Sequence, residues 1–185
     1  EADVNDALQK GYAAGRVLPS AADDDLTVAD NRQLMIAFDF DGVLADDSAE
    51  TIYQREGIQA FQQSEIQNAE VPIAPGPLAD FFRKLAVIRK LEDDRVAADA
   101  SYQRFLRTAI VTARSAPAHR RVINTLRSWN INVDETHFLG GMDKGRVLQI
   151  LRPHIFFDDQ RHPHLDAASP FVPSVHVPFG VGGNK

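Results

Sequence analysis

The sequence predicts an α/β protein with a doubly wound parallel sheet and a small, mostly helical cap insertion. The apolar run at 34–40 suits a strand that is buried on both faces of a parallel sheet. Further apolar runs at 108–112, 154–157 and 174–177 alternate with helical patterns, as they do in parallel sheets. The stretch 48–106 interrupts this alternation with helical patterns alone, which indicates an insertion between the first two core strands.

The length and composition are those of a globular protein with one main core. The chain has 185 residues, of which 44% are hydrophobic and 25% are charged. We expect 1–47 and 107–185 to form the core domain and 48–106 to form the cap. A net charge of −6 without any Lys/Arg block argues against binding to a nucleic acid polymer. The absence of cysteine excludes disulfides and thiol nucleophiles.

The sequence also bears on location. No apolar run approaches the ~20 residues of a membrane span, so we expect no membrane association. Residues 1–6 are acidic and polar, unlike a secretory signal, and we expect a cytoplasmic protein. The first residue is not methionine, which indicates that an upstream portion is missing. The sequence leaves open whether the chain forms a homo-oligomer.

The segments before the first core strand are predicted to lie at the periphery. Residues 3–14 place Val4, Leu8 and Tyr12 on one helical stripe, which predicts a helix. Residues 21–32 are acidic and lack periodicity, which predicts an exposed loop.

Residues typical of helix starts, helix breaks and linkers occur in the insertion and before the helix that follows the second core strand. Ser48 is a candidate helix cap, Gly57 interrupts the helix that follows, and the proline-rich stretch 71–77 is a linker. Ser115 is a candidate cap for the helix after the strand at 108–112. A longer amphipathic helix after the linker needs a partner surface for its apolar side chains, which are Leu78, Phe81, Phe82, Leu85, Ile88 and Leu91.

Two acids follow the first core strand. Asp39 and Asp41 start from the same side because side chains alternate along a strand, and Gly42 permits a turn after them. Burying two like charges without a partner is costly, so we expect a divalent cation and a reacting group between them. The ends of parallel strands meet at one edge of the sheet. Further polar side chains are therefore expected at that edge, namely Thr112, Lys144, Asp158 and Asp159.

These residue types supply what phosphoryl transfer from a monoester requires. One carboxylate can attack phosphorus, and a second can protonate the leaving oxygen and then activate water. A hydroxyl and an ammonium can hold the phosphoryl oxygens, while the remaining carboxylates suit Mg²⁺, which prefers oxygen ligands.

Four short motifs resemble, in order, those of the haloacid dehalogenase superfamily. They are Phe38–Val43, Val111–Arg114, Lys144 and Phe157–Asp159. A denser similarity, over 112–119, 125–129, 138–141 and 154–160, resembles the cytosolic type I 5′-nucleotidase family. That resemblance implies hydrolysis of nucleoside 5′-monophosphates with Mg²⁺ through an aspartyl-phosphate intermediate.

The resemblance also implies a role for each motif residue. Asp39 would be the nucleophile and Asp41 the general acid/base, with Thr112, Ala113 and Lys144 binding the phosphoryl group. The implied ligands of Mg²⁺ are the Asp39 carboxylate, the backbone carbonyl of Asp41, and at least one of Asp158 and Asp159. We favour Asp158 as the direct ligand, with Asp159 supporting it.

The sequence departs from the nucleotidase pattern at two positions. Phe40 stands where that family commonly has glycine, and Gly42 stands where it commonly has alanine. These departures leave the predicted reaction unchanged and bear on nucleotide specificity.

Several alternatives remain at this stage. The chain could hydrolyse another small phosphomonoester such as a sugar phosphate, act as a phospho-accepting signalling module, or bind nucleotides without turnover. His162 and His164 could suggest a zinc site, but without a third ligand in the pattern we expect surface histidines. Most of the insertion's aromatic side chains should form the core of the cap, with one reaching the substrate; they are Tyr53, Phe61, Phe81 and Phe82.

Overall fold

The fold consists of one six-stranded sheet with helices on both faces. The computed structural model describes residues 2–19 and 33–183. The strands are β1 (Arg16–Val17), β2 (Leu34–Phe38), β3 (Leu106–Thr112), β4 (Glu135–Phe138), β5 (Ile155–Asp158) and β6 (Ser174–His176). The helices are α1 (Ala2–Gln9), α2 (Ser48–Gln67), α3 (Ala79–Ala98), α4 (His119–Ser128), α5 (Lys144–Leu151) and α6 (Asp166–Ala168). A π-helical turn, Arg161–Leu165, precedes α6.

The strand order confirms the predicted fold class. The sheet runs β1-β6-β5-β2-β3-β4, and every neighbouring pair is parallel except β1 and β6. Strand β2 lies between β3 and β5, with Phe38 in register with both Ile110 and Phe157. The carboxyl ends of these three strands therefore meet at one edge.

Strand β2 is apolar throughout because both of its faces are covered. Ile36 and Phe38 point into one buried cluster, which includes Phe82 of α3 and Val122 of α4. Met35 and Ala37 point into a second cluster on the opposite face, which α5 and α6 cover through Leu148 and Ala168. Because side chains alternate along β2, the strand contributes to two cores, as expected for a doubly wound sheet.

The N-terminal segment differs from its prediction. Helix α1 ends at Gln9 rather than continuing to residue 14. Gly11 has a φ of 79°, a left-handed conformation that closes a helix, and the Tyr12 amide donates a hydrogen bond to the carbonyl of Ala7. Tyr12 is exposed, so it does not continue the predicted stripe. The predicted loop at 21–32 lies outside the described residues.

Neither predicted serine cap forms. Helix α2 begins at Ser48, whose backbone N–H and hydroxyl both donate to the carboxylate of Asp46. Helix α4 begins at His119, and the Ser115 hydroxyl donates to the Ala116 carbonyl instead of accepting a backbone N–H. In both places, a local hydrogen bond from the serine hydroxyl to a neighbouring residue replaces the bond that a serine cap accepts from the first turn of the helix.

Helix α3 buries the first half of the predicted stripe but turns other side chains inward in its second half. Phe82 and Leu85 are buried, but Ile88 and Leu91 are exposed. The inward positions continue as Arg89, which pairs with Asp134, and as Glu92, which accepts backbone N–H groups at the start of β3. Positions 82, 85, 89 and 92 follow helical spacing, so one face of α3 changes from apolar to polar along its length.

The division of the chain into a core and a cap at 48–106 stays a prediction. Within that stretch, α3 belongs to the cluster that covers the sheet, whereas α2 overhangs the carboxyl edge of the sheet. Gly57 interrupts α2 as predicted, with a φ of 84°. No helix within the described ranges is long and apolar enough to cross a membrane.

Candidate active site

A cavity of about 500 Å³ lies between the carboxyl edge of the sheet and helix α2. Several residues singled out from the sequence line it, namely Asp39, Asp41, Thr112, Ala113, Arg114, Ser115 and His164. Lys144, Asp158 and Asp159 do not line the cavity but are buried directly behind Asp39. The strand ends therefore bring the predicted residues into one site with two layers.

Lys144 holds two carboxylates together. It opens α5, and its Nζ lies 2.7 Å from Asp39 Oδ2 and 2.7 Å from Asp158 Oδ2. All three side chains are buried, so these ion pairs act in a medium of low polarity. Burial alone would lower the pKa of Lys144, but the two carboxylates raise it well above its usual range and keep the ammonium charged.

The groups around Asp39 have opposing effects on the pKa of its carboxyl. The backbone N–H of Phe40 donates to its Oδ1 at 2.7 Å. Burial raises the pKa of Asp39 to about 6, an effect that Lys144 opposes and that nearby Asp158 reinforces. By contrast, Lys144 and His164 outweigh burial at Asp158 and hold its pKa below the usual range.

Asp159 has a carboxylate oxygen without a hydrogen-bond partner among the described residues. This atom, Oδ1, is buried. Burial, together with Asp158 and Asp39, raises the pKa of Asp159 well above its usual range. A buried carboxylate oxygen without a partner is costly, which indicates that a positively charged group belongs there.

His164 corrects one prediction from the sequence. His162 is exposed, as expected, but His164 is largely buried with Nδ1 3.2 Å from Asp158 Oδ1. Potential ligand atoms of Asp39, Asp158 and His164 lie within 4.8 Å of one another. The π-helical turn brings His164 back to the end of β5, a placement that sequence spacing does not reveal.

Arg114 connects the second acid of the first motif to helix α2. Its Nε and Nη2 donate to the two carboxylate oxygens of Asp41, at 2.7 and 2.8 Å. Its Nη1 donates to Glu65 of α2, a fully buried side chain that also accepts from Arg121 of α4 at 2.8 Å. The guanidinium lies 5.4 Å from the ring centre of Phe61, a distance typical of a cation–π contact.

Glu65 and Arg121 were not singled out from the sequence. They lie 49 and 7 positions from Arg114, and neither belongs to a local motif. A glutamate at an inward position of an amphipathic helix is the one available signal, and it is weak.

We predict that removal of Glu65 strongly destabilises the protein. Glu65→Ala leaves Arg114 and Arg121 without a shared buried partner, and breaking such a pair costs about 3–5 kcal/mol. The free energy of unfolding, measured by urea denaturation, should fall by this amount. The control Glu70→Ala removes an exposed pair with Arg120 and should cost at most ~1 kcal/mol. Equal effects of the two variants would contradict the buried network.

The two family departures have structural counterparts. Gly42 has a φ of 71°, and a Cβ there would lie 2.5 Å from Asp159 Oδ2, so the close approach of Asp159 requires glycine. Phe40 is fully buried and lies under Arg114, with 5.7 Å between the guanidinium and the ring centre. Neither residue lines the cavity, so neither contacts a ligand there directly.

Thr112 is the last residue of β3, Ala113 follows it, and both line the cavity together with Asp39. The Thr112 hydroxyl accepts a hydrogen bond from the Arg114 amide at 3.3 Å, which leaves its proton for an acceptor in the cavity. The Ala113 carbonyl is held by the Gly141 amide at 2.9 Å.

Comparison with known proteins identifies the family of the chain. The sequence model of the 5′-nucleotidase family matches residues 1–184. The chain belongs to the 5′-nucleotidase family.

A curated relative of this 5′-nucleotidase family member is cytosolic 5′-nucleotidase 1B of Homo sapiens. The two are 36% identical over 169 residues, which make up 89% of this chain and 26% of the human protein. The chain thus spans about a quarter of the length of that relative. No solved structure matches the present chain.

Proposed function

We propose that the chain hydrolyses nucleoside 5′-monophosphates to nucleoside and phosphate in the cytoplasm, with Mg²⁺ as cofactor. The observation that carries this proposal is the position of Asp39, at the floor of the cavity and backed by a buried lysine and two further acids. Membership of the 5′-nucleotidase family supports the substrate class.

The site has the composition that a divalent cation requires. Asp39 and Asp158 share the ammonium of Lys144, and the neighbouring Asp159 has a buried Oδ1 without a hydrogen-bond partner among the described residues. Asp39 and Asp158 would hold the ion with support from Asp159, and His164 is a further candidate ligand. Bound Mg²⁺ would neutralise charge on the phosphoryl oxygens.

The proposed reaction proceeds in two steps. A carboxylate oxygen of Asp39 forms a bond to phosphorus while the bond from phosphorus to the nucleoside oxygen breaks, and Asp41 gives that oxygen a proton. Asp41 then takes a proton from water, whose oxygen attacks phosphorus and displaces Asp39. Thr112 and the Ala113 backbone position the phosphoryl group, and the positive charge of Lys144, buried behind Asp39, stabilises it. Arg114 occupies one acceptor site on each oxygen of Asp41, and each oxygen keeps a second lone pair that can take or give the proton.

A substrate panel tests this proposal. Nucleoside 5′-monophosphates and sugar phosphates are compared at equal concentration with Mg²⁺, and released phosphate is measured. We expect turnover of nucleotides with a higher kcat/KM than that of sugar phosphates. A preference for sugar phosphates would replace the proposed substrate, and binding without turnover would replace the proposed enzyme with a nucleotide-binding protein.

We predict that the stability of the metal-free protein falls between pH 4.5 and pH 7. A carboxyl whose pKa is raised on folding binds its proton more tightly in the folded state, so stability is lost as pH rises through the raised value. For Asp39, with a pKa of about 6 against an ordinary value of 3.8, the loss over this range amounts to about 2 kcal/mol. The shift at Asp158 has the opposite sign but acts below its usual pKa, outside this range.

Melting temperatures with and without Mg²⁺ measure this effect. Mg²⁺ should raise the melting temperature more at pH 7 than at pH 5, because the cation requires ionised carboxylates. Asp39→Asn should remove the share of the pH dependence that belongs to Asp39. An equal effect of Mg²⁺ at both pH values would contradict the assignment of these acids to the metal.

A further inference from the structure

The wall of the cavity opposite the phosphate-binding floor is apolar and aromatic. Tyr53, Ile58 and Phe61 of α2 line this wall, and we call these three residues the aromatic wall. Tyr53 and Ile58 are 46% and 52% exposed, although they face a cavity rather than open surface. Apolar side chains that line a cavity but are not covered by the protein mark a place for an apolar ligand surface.

The kink in α2 creates this wall. Gly57 has φ 84° and ψ −179°, values outside the helical region, and it lies between Tyr53 and Ile58. The rings of Tyr53 and Phe61 meet edge to face across the kink, with centroids 6.3 Å apart. The cation–π contact with Arg114 stabilises the position of the Phe61 ring. The wall is therefore braced by contacts within the protein before any ligand arrives.

Small residues form the facing side. Ser115, Ala116, Pro117 and Ala118 line the cavity across from α2, and the glycines at 140 and 141 complete this side. A wall of small side chains opposite aromatic rings leaves a slot suited to a flat ring. At one end of this slot, Thr112 and Asp39 form the floor where the phosphoryl group would react.

The charges around the slot favour a ligand with a single phosphate. Of the described residues that line the cavity, Arg114 is the one with a permanent positive charge. Asp41 and Glu65 already neutralise it. Glu50 adds a negative charge beside the aromatic wall. A second phosphate beside the aromatic wall would therefore meet no positive side chain that lacks a partner.

Gln62 supplies a polar group for recognition. It lines the cavity next to Phe61, and its side-chain amide has no hydrogen-bond partner among the described residues. An amide can both donate and accept, which matches the edge of a nucleobase.

From these contacts we infer that the slot between the aromatic wall and residues 115–118 binds the nucleobase of a nucleoside monophosphate. In this assignment, Tyr53 and Phe61 provide the stacking surface and Gln62 contacts the edge of the base. Substrates that place a second phosphate beside the aromatic wall are disfavoured. This inference rests on the proposed function and adds the residues that determine specificity for the part of the substrate that does not react.

The test compares Tyr53→Ala on substrates with and without a base. Loss of one stacking contact should lower kcat/KM for nucleoside 5′-monophosphates roughly tenfold, mainly through KM. Turnover of ribose 5-phosphate should be unchanged, because it has no base to stack. Tyr53→Phe keeps the aromatic ring and should recover most of the kcat/KM that Tyr53→Ala loses. Ile66→Ala is the matched control, because Ile66 is exposed on the same helix but does not line the cavity.

Equal losses on both substrates, or no loss on nucleotides, would overturn the inference. A binding measurement separates this failure from failure of the proposed reaction. Calorimetric titration of a nucleoside 5′-monophosphate into the metal-free parent chain and into metal-free Tyr53→Ala reports on the slot without turnover, because the proposed reaction requires Mg²⁺. Tenfold weaker binding to the variant supports the slot even if the chain hydrolyses nothing, and equal binding contradicts it. Thermal melts of both proteins confirm that the variant is folded.

Discussion

Asp39→Asn is expected to abolish phosphate release from nucleoside 5′-monophosphates in the presence of Mg²⁺. The amide nitrogen that replaces one carboxylate oxygen has no negative charge with which to attack phosphorus. Loss of a nucleophile lowers kcat on the order of 10⁴-fold or more. The effect should not come from unfolding, because the substitution keeps the size of the side chain and removes a buried charge with a raised pKa.

Two companion variants sharpen this experiment. Asp80→Asn makes the same chemical change at an exposed position of α3 and should leave the rate unchanged. Asp41→Asn should also lose turnover but retain Asp39, so a phosphorylated Asp39 can accumulate and be found by mass spectrometry of the peptide that contains it. Phosphate release by Asp39→Asn at the rate of the parent chain would rule out the proposed covalent intermediate.

Lys144→Met is expected to impair both folding and catalysis. The lysine ammonium is the shared partner of Asp39 and Asp158, at 2.7 Å from each, and all three side chains are buried. Its removal leaves two neighbouring carboxylates without this compensation, and breaking a buried ion pair costs about 3–5 kcal/mol. Urea denaturation should show this loss of stability, and a phosphate-release assay should show a large fall in kcat.

Mg²⁺ separates the two roles of Lys144. The cation should restore part of the lost stability, because it also neutralises Asp39 and Asp158. It should not restore full activity, because the variant lacks the positive charge that the proposed reaction places behind Asp39. Lys84→Met, at an exposed position of α3, should change stability by no more than about 0.5 kcal/mol. A Lys144→Met protein as stable and as active as the parent chain would show that the buried bridge has neither role.

The sequence was informative wherever a local pattern has one dominant cause. The apolar run of β2 predicted a strand buried on both faces, and the two buried clusters show why polar residues are excluded from it. The acids after β2 and β5 and Thr112 at the end of β3 were predicted to meet, because parallel strands place their carboxyl ends at one edge. The assignment of catalytic roles to these residues stays a prediction.

Local patterns misled where two structures satisfy the same spacing. The second half of the α3 stripe was assigned to Ile88 and Leu91, but Arg89 and Glu92 face inward there instead. Hydrophobicity alone does not predict that choice, because buried backbone N–H groups at the start of β3 require the Glu92 carboxylate. Ser115 was similarly assigned to a cap that the bond from its hydroxyl to Ala116 replaces.

By itself, the sequence determined the α/β architecture and the set of polar residues at the strand ends, since both follow from periodicities of a few residues. Only the tertiary structure decided the partners of those residues. The ion pairs of Arg114 with Asp41 and Glu65 span 73 and 49 positions, and His164 reaches Asp158 through a π-helical turn. Such contacts depend on how whole elements pack, because the low polarity of the interior forces each buried charge to find a partner, however distant in the chain.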